Sequence, residues 1–269
     1  MARIGLVVHA GREAAGLLAK EVSAWLAERG HTAEVVDTDP GGRFDLVVSL
    51  GGDGTMLRAV DMVCGRDIPV LGVNVGHLGY LTAVEPTELH RSLERFLDGD
   101  YQVEPRMTLD VRVDADGSGP LGRSALNDVV LQRTSAGHTM RTEVAVNGTP
   151  FLTFASDSLI LATPTGSTAY NLSARGPIVS PRARVQVLTP VAPHMLFDRS
   201  LVLDAGEAVT IVPVGEQPVD AVVDGSFVAT LQPGQAVHCS AGAHDALLVT
   251  FGERDFHRIL KSKFNLADR

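Results

Sequence analysis

The chain reads as an N-terminal parallel α/β domain followed by a mainly β C-terminal domain, with a helix at its end. Three observations predict this. Up to about Tyr101, apolar β-branched runs alternate with stretches of helical periodicity. Beyond that point the period shortens to two, as in Leu109, Val111 and Val113. Two hairpin signals follow, Asn147-Gly148 and Asp224-Gly225, each flanked by apolar runs. The expected divisions are 1–100, 101–254 and 255–269, the last a helix packing back on the first domain. A length of 269 residues accommodates two modest domains of this kind.

Ile4 to Val8 is the first buried-type strand, and Glu13 to Arg29 carries a helical stripe of Ala15, Leu18, Val22 and Trp25 that Gly30 ends. Thr32 to Val36 and Leu46 to Leu50 are further strands, separated by turn residues Asp39 to Gly42. A helix is expected from about Thr55, a strand over Val70 to Asn74, and a helix from Pro86 to Leu97 with Pro near its start. In the second half, Glu143 to Val146 with Phe151 to Phe154, and Val219 to Val223 with Phe227 to Leu231, form the two hairpins. Asp255 to Phe264 returns to helical spacing, with Phe256, Ile259, Leu260 and Phe264 on one side.

Composition excludes several classes. Hydrophobic residues at 45% and charged residues at 20% supply a proper core and rule out disorder as the main state. Cys64 and Cys239 are too few for a disulfide framework and lack metal-site spacing, which points to a reducing, cytoplasmic compartment. The N-terminal residues lack the features of a signal peptide, and charges interrupt every apolar run before the roughly 18 to 20 residues that a bilayer requires. A formal net charge of −9 without a dense Lys/Arg block disfavours nucleic acid as a partner.

The sharpest local signal is Gly51-Gly52-Asp53-Gly54-Thr55, placed between a strand and a helix, with Arg58 one turn further on. The glycines let backbone N–H groups approach phosphate oxygens closely, and the following helix adds the positive end of its dipole. Asp53 is the one carboxylate of the loop and could take a proton from an attacking hydroxyl. An acid in a tight turn is the structural alternative, since Asp-Gly recurs at Asp98, Asp116 and Asp224. A second cluster, Thr163-Pro164-Thr165-Gly166-Ser167-Thr168-Ala169-Tyr170, is dense in hydroxyls that can cap a helix or bind ribose, phosphate and amide groups. Asn127, Asp128 and Asp157 add an amide and carboxylates able to bind ribose or a carboxamide, and by themselves also fit turns. His9 ends the first strand and His77 lies in a glycine-rich segment; either could touch a ligand or serve as a loop residue.

Together these segments resemble the NAD kinase family, which joins a Gly-Gly-Asp-Gly-Thr loop to a downstream Asp and a Thr-Pro-Thr-Gly-Ser-Thr-Ala-Tyr block. Gly72 to Leu81, the Asn127-Asp128 pair and Gly176-Pro177-Ile178 extend the match over nearly the whole chain. The loop alone recurs in diacylglycerol kinases, sphingosine kinases and phosphofructokinases; the second block is the more specific part. The resemblance implies an α/β and a β-rich domain, with nucleotides bound in a cleft between them, and transfer of the terminal phosphate of ATP to the adenosine-ribose 2′-hydroxyl of NAD. It makes Asp53 the base, and Gly51, Gly52, Gly54, Thr55 and Arg58 the phosphate-binding set. NAD contacts fall to Leu78, Gly79, Tyr80, Asn127, Asp128, Asp157, Thr163, Thr165, Gly166, Ser167, Thr168, Ala169, Tyr170 and Ser173. Mg²⁺ accompanies ATP without a dedicated protein ligand, inorganic polyphosphate stands as an alternative donor, and a homodimer or homotetramer is implied.

The sequence departs from the family pattern at Asp128 in place of Glu, Ser158 in place of Gly, and Arg175 in place of the first Gly of Gly-Gly-Pro. Arg175 could be solvated or could bind phosphate bidentately. Two rival readings follow: a related kinase with a nucleoside, sugar or lipid acceptor, and a non-catalytic NAD-binding regulator.

Overall fold

The computed structural model describes residues 1–37, 42–76, 79–82, 84–114, 121–135, 137–252 and 256–265. Two compact units divide the chain, Met1–Arg106 together with Ala246–Arg269, and Met107–Asp245. The first begins with β1 (Arg3–Val8), α1 (Glu13–Glu28), β2 (Thr32–Val35), β3 (Leu46–Gly51), α2 (Asp53–Val63), β4 (Val70–Asn74), α3 (Leu89–Leu97) and β5 (Gln102–Arg106). β1 lies parallel to β2 and β3, and β3 parallel to β4. Every residue of β3 and β4 is buried, which is why these runs are mostly apolar rather than alternating, with Ser49 and Asn74 as buried polar exceptions.

Two helices differ from the pattern expected of them. α1 buries Ala15, Ala19, Val22 and Leu26, while Leu18 and Trp25 are only partly covered. The small alanines allow close approach to the core, and the indole of Trp25 moves to the rim between the guanidinium of Arg29 and the ring of His90. α2 starts at Asp53 rather than near Thr55, because Gly52 takes the extended N-cap conformation and Asp53 enters the first turn, where a negative charge complements the dipole. Ahead of α3, the stretch Pro86–Glu88 is a separate 3₁₀ turn.

The second unit comprises β6 (Leu109–Val113), β7 (Leu121–Ala125), β8 (Asp128–Arg133), β9 (Met140–Val146), β10 (Thr149–Ser156), β11 (Ser158–Ala162), α4 (Tyr170–Ser173), β12 (Val185–Val191), β13 (Leu201–Asp204), β14 (Val209–Pro213), β15 (Val219–Val223), β16 (Ser226–Leu231) and β17 (Val237–Ala241). They form two six-stranded sheets, β10-β9-β14-β17-β6-β7 and β13-β12-β11-β8-β15-β16. Both expected hairpins are present, turning at Asn147-Gly148 and Asp224-Gly225 with the left-handed backbone that those residues tolerate. One core holds side chains from both sheets, among them Val111, Leu131, Phe154, Leu161 and Ile211. Val130, Ile160 and Ala162 point the other way into a smaller cluster with Val179, so β8 and β11 are covered on both faces. Cys239 sits in the larger core, where burial pushes its thiol up to about 12, and both cysteines are free.

The chain then returns to the first unit as β18 (Ala246–Thr250) and α5 (Phe256–Lys263), completing a sheet ordered β2-β1-β3-β4-β18-β5. This differs from the expected boundaries near residues 101 and 254: β5 pairs antiparallel with β18, and β18 parallel with β4. Backbone pairing outweighs the local change of period. Pro105 is tolerated because β5 is an edge strand. α5 has no fully buried residue, and the Lys263 ammonium sits 4.3 Å from the centroid of the Tyr80 ring. Among the described residues, no helix is long and apolar enough to cross a membrane.

Leu161 is fully buried on a central strand. Leu161→Ala should cost about 2–5 kcal/mol of unfolding free energy, read from a denaturant titration.

Candidate active site

In the first unit β1, β3 and β4 are neighbours and run parallel, so Val8, Gly51 and Asn74 finish side by side. Ligands of open α/β sheets bind at such carboxyl edges. The loops leaving these ends border a cavity of about 540 Å³, lined by residues 9–12, residues 52–55, Arg58 and Gly79. Its glycines serve different purposes. A Cβ at Gly51 would lie 2.1 Å from the Thr55 hydroxyl, so Gly51 is demanded by internal packing, whereas Gly52 and Gly54 face open space. Open space beside bare backbone is what a phosphate oxygen needs. Arg58 donates from Nη2 to the Val8 carbonyl, tying α2 to the end of β1, and its buried Nε has no acceptor among the described residues. The ring of His9 accepts at Nδ1 from the Gly11 N–H and so holds the first turn of its own loop.

Asp53 is the only acid in the cavity wall among the described residues. Its carboxylate accepts the Tyr80 N–H at 2.8 Å and the Leu81 N–H at 2.9 Å, one on each oxygen. Gly79 makes this approach possible, since a Cβ there would lie 2.2 Å from Asp53 Oδ1. Burial and then the charge of Asp53 raise the Tyr80 phenol above its ordinary pKa. The structure thus brings together Gly51–Thr55, Arg58, Gly79, Tyr80 and His9. Leu78 and His77 lie outside the described residues.

The second unit gathers another cluster. The carboxylate of Asp224, at the β15–β16 turn, accepts the backbone N–H groups of Leu126 and Asn127 at 2.7 Å and of Asp128 at 3.1 Å. Thr163 clamps the same stretch, its N–H donating to Asn127 O and its hydroxyl to Leu126 O, while the Gly166 N–H donates to that hydroxyl. A Cβ on Gly166 would fall 2.0 Å from Asn127 O. Ser167 donates to Pro164 O and accepts from the Val179 N–H. Here the expectation needs correcting: Thr163 and Ser167 are fully buried and their hydroxyls are taken by backbone groups, that of Thr163 by Leu126 O and the Gly166 N–H and that of Ser167 by Pro164 O and the Val179 N–H. Thr165 is buried too. The outward-facing members are Thr168, Ala169, Tyr170 and Ser173, together with Asn127, whose carboxamide has no partner among the described residues.

Asp157 stands at the opposite end of β11 from Thr163, six residues and about 20 Å away by strand geometry. It pairs with Arg133 at 3.0 Å. Arg175 is exposed at φ 65°, in the left-handed conformation that suits a glycine. Sequence reasoning missed Arg12, whose place in the cavity wall depends on the fold, and Asp224, which looked like one more turn residue. For Asp224 the available signal was the Asp-Gly pair itself, which cannot separate a turn from a backbone clamp.

Asp128 is 5% exposed, and burial first and the neighbouring Asp224 second push its carboxyl from the ordinary 3.8 to about 7. An acid whose pKa is raised by folding leaves the fold at full strength below its unfolded pKa and weakens it as pH rises through the folded value. Asp128→Asn cannot ionise. Its thermal midpoint should exceed that of the parent by a few degrees at about pH 8, with the gain vanishing near about pH 4. A gain independent of pH would show that Asp128 ionises as freely in the fold as outside it.

Comparison with known proteins agrees with this geometry. Residues 20–101 match the family model for the ATP-NAD kinase N-terminal domain, and residues 126–251 that for the ATP-NAD kinase C-terminal domain. The NAD kinase of Syntrophotalea carbinolica is 36% identical, with 100% of both chains covered. That of Geobacter sulfurreducens is 38% identical over 94% of each. Among solved structures, yeast NADH kinase complexed with NADH superposes with a TM-score of 0.89 at 25% identity, covering 100% of this chain and 89% of the other. An NAD kinase from Archaeoglobus fulgidus in complex with ATP shares the fold, with a TM-score of 0.79 at 22% identity over 99% of both chains. With both domain models matched in order and full-length relatives above one-third identity, the chain belongs to the ATP-NAD kinase family.

Proposed function

We propose that the chain is an NAD kinase, transferring the terminal phosphate of ATP to the adenosine-ribose 2′-hydroxyl of NAD to give NADP and ADP. One observation carries this reading: a single carboxylate, Asp53, is held by two backbone N–H groups in the wall of a glycine-lined cavity at a helix start. Each N–H uses one lone pair of a different carboxylate oxygen, which leaves the remaining pairs for an incoming hydroxyl. Asp53 takes the hydroxyl proton as that oxygen bonds to the terminal phosphorus and the bond to the bridging oxygen breaks, releasing ADP. Backbone N–H groups of residues 52–54, at the start of α2, bind the phosphate oxygens, the Thr55 N–H being taken by the Gly52 carbonyl.

Among the described residues no three His, Cys, Asp or Glu side chains cluster as a metal cage. Mg²⁺ would arrive on the donor's phosphates, and Asp53 is the carboxylate of the cavity wall that could meet it. When bound, the ion neutralises charge on the transferred group. Asn127, Asp128, Thr168, Ala169, Tyr170 and Ser173 serve NAD, and Thr163, Thr165, Gly166 and Ser167 shape the loop that presents them. Asp157, about 20 Å from Thr163 along β11, is assigned to NAD bound by a second copy, in the homodimer or homotetramer that the family resemblance implies. Light scattering tests that assembly. Two free cysteines support a cytoplasmic location.

The reading is tested by incubating the protein with Mg-ATP or inorganic polyphosphate and a panel of NAD, NADH, nucleosides, a sugar phosphate and diacylglycerol, then weighing the products. NADP is expected. A much higher catalytic efficiency on an acceptor other than a nicotinamide dinucleotide would sink it.

Asp53→Asn should fold, lose about 1 kcal/mol because the amide can accept from only one of the two N–H groups, and lose about a hundredfold to ten-thousandfold in turnover. Wild-type turnover in the folded variant would remove Asp53 from the mechanism. Gly79→Ala places a methyl group against Asp53 Oδ1 and should lower turnover without touching any ionisable group. Turnover equal to the parent's would show that the carboxylate does not depend on this approach.

A further inference from the structure

The cavity has a second wall that the transfer step does not use. Residues 9–12, leaving β1, face the Gly52–Thr55 loop across it, and Arg12 is the N-cap residue of α1. A cation there is electrostatically misplaced, since the head of a helix carries partial positive charge. The backbone of Arg12 bonds to His9 and Ala15, but its guanidinium has no hydrogen-bond or ion-pair partner among the described residues to offset this. Yet it has a shaped seat. A Cβ on Gly76 would fall 1.6 Å from Arg12 Nη1, so the guanidinium rests against bare backbone that only glycine can provide, at φ +150°. Arg58 shares the same wall, and the sole acid, Asp53, is already held by two N–H groups. An unpaired guanidinium at the head of a helix, facing a phosphate-binding loop, asks for an anion.

We propose that Arg12 is a donor-binding residue that grips the phosphates behind the one transferred, so that the cavity reads a linear polyphosphate chain rather than a single phosphate. This rests on the kinase reading above. A guanidinium can bind two phosphate oxygens at once, so its fork should matter as well as its charge. ATP and inorganic triphosphate share the recognised chemistry, and the test separates them.

The experiment compares the full-length parent with Arg12→Met, which keeps the apolar stem, and Arg12→Lys, which keeps the charge. Steady-state kinetics with ATP and NAD are paired with calorimetric binding of ATP and of inorganic triphosphate in the absence of NAD. Arg12→Met should raise the KM for ATP about tenfold or more and weaken inorganic triphosphate by the same factor, with the KM for NAD little changed. Arg12→Lys should recover part of the loss. The thermal midpoint of Arg12→Met should hold or rise, because a cation leaves the head of α1. An unchanged KM for ATP overturns the proposal. So does a loss confined to ATP, which would place Arg12 on the adenosine. If the parent makes no NADP, the kinase reading fails by itself; undiminished triphosphate binding by Arg12→Met would then refute the role of Arg12 separately.

Discussion

The anchoring of one carboxylate by two backbone N–H groups is the contact on which the phosphate cavity depends. Asp53 leaves the first turn of α2, and Tyr80 and Leu81 reach it from the segment beyond β4. Without those donors a short acidic side chain beside an open cavity would sample several rotamers, and its charge would repel the phosphates it must work beside. With them, the orientation is set and part of the charge is compensated, while lone pairs remain for a substrate. The strand order makes this possible, since three parallel strands end level and their loops close on one another.

The second unit uses the same device to a different end. Asp224 also sits in an Asp-Gly pair and also binds consecutive backbone N–H groups, but it holds three of them and stabilises the stretch that carries Asn127 and Asp128. Asp224 is positioned by a hairpin turn with a left-handed backbone, Asp53 by a helix start. One arrangement stiffens a strand end, and the other leaves a carboxylate facing a cavity. Both lean on glycines shaved to the backbone, Gly79 against Asp53 and Gly166 against Asn127. Burial first, and the proximity of Asp224 second, raise the carboxyl of Asp128 to about 7, so the clamp that orders this strand end adds to what burial already does.

Local field and net charge differ here. The chain carries a formal −9, which disfavours a polyanionic duplex. Its cavity nevertheless sets Arg12 and Arg58 against a single acid, beside the starts of two helices that lack side-chain caps. A concave wall with low-dielectric surroundings focuses that local charge, so a small polyphosphate can be drawn into a protein that repels larger polyanions.

Much of the fold was legible from local chemistry. Apolar β-branched runs marked β1, β3 and β4, Asn147-Gly148 and Asp224-Gly225 marked the hairpins, and the glycine loop between strand and helix marked the phosphate cavity, because period and turn geometry are properties of neighbouring residues. The same strength explains the errors. The division near Tyr101 followed a local change of period, whereas β5 and β18 join the first sheet through backbone pairing between residues far apart in the chain. The hydroxyls of Thr163 and Ser167 looked available for a ligand until backbone groups claimed them, the Leu126 carbonyl from a distant segment and the Pro164 carbonyl from the turn itself. Arg12 carried no signal of its own, since its seat is made by Gly76 after a different strand. The sequence by itself therefore determined the elements, the turns and the carboxylate proposed as the base, all of which rest on residues close together in the chain. Tertiary structure alone decided which backbone groups hold that carboxylate, which hydroxyls are occupied and which cation faces the cavity, because each requires segments that meet only when the sheet closes.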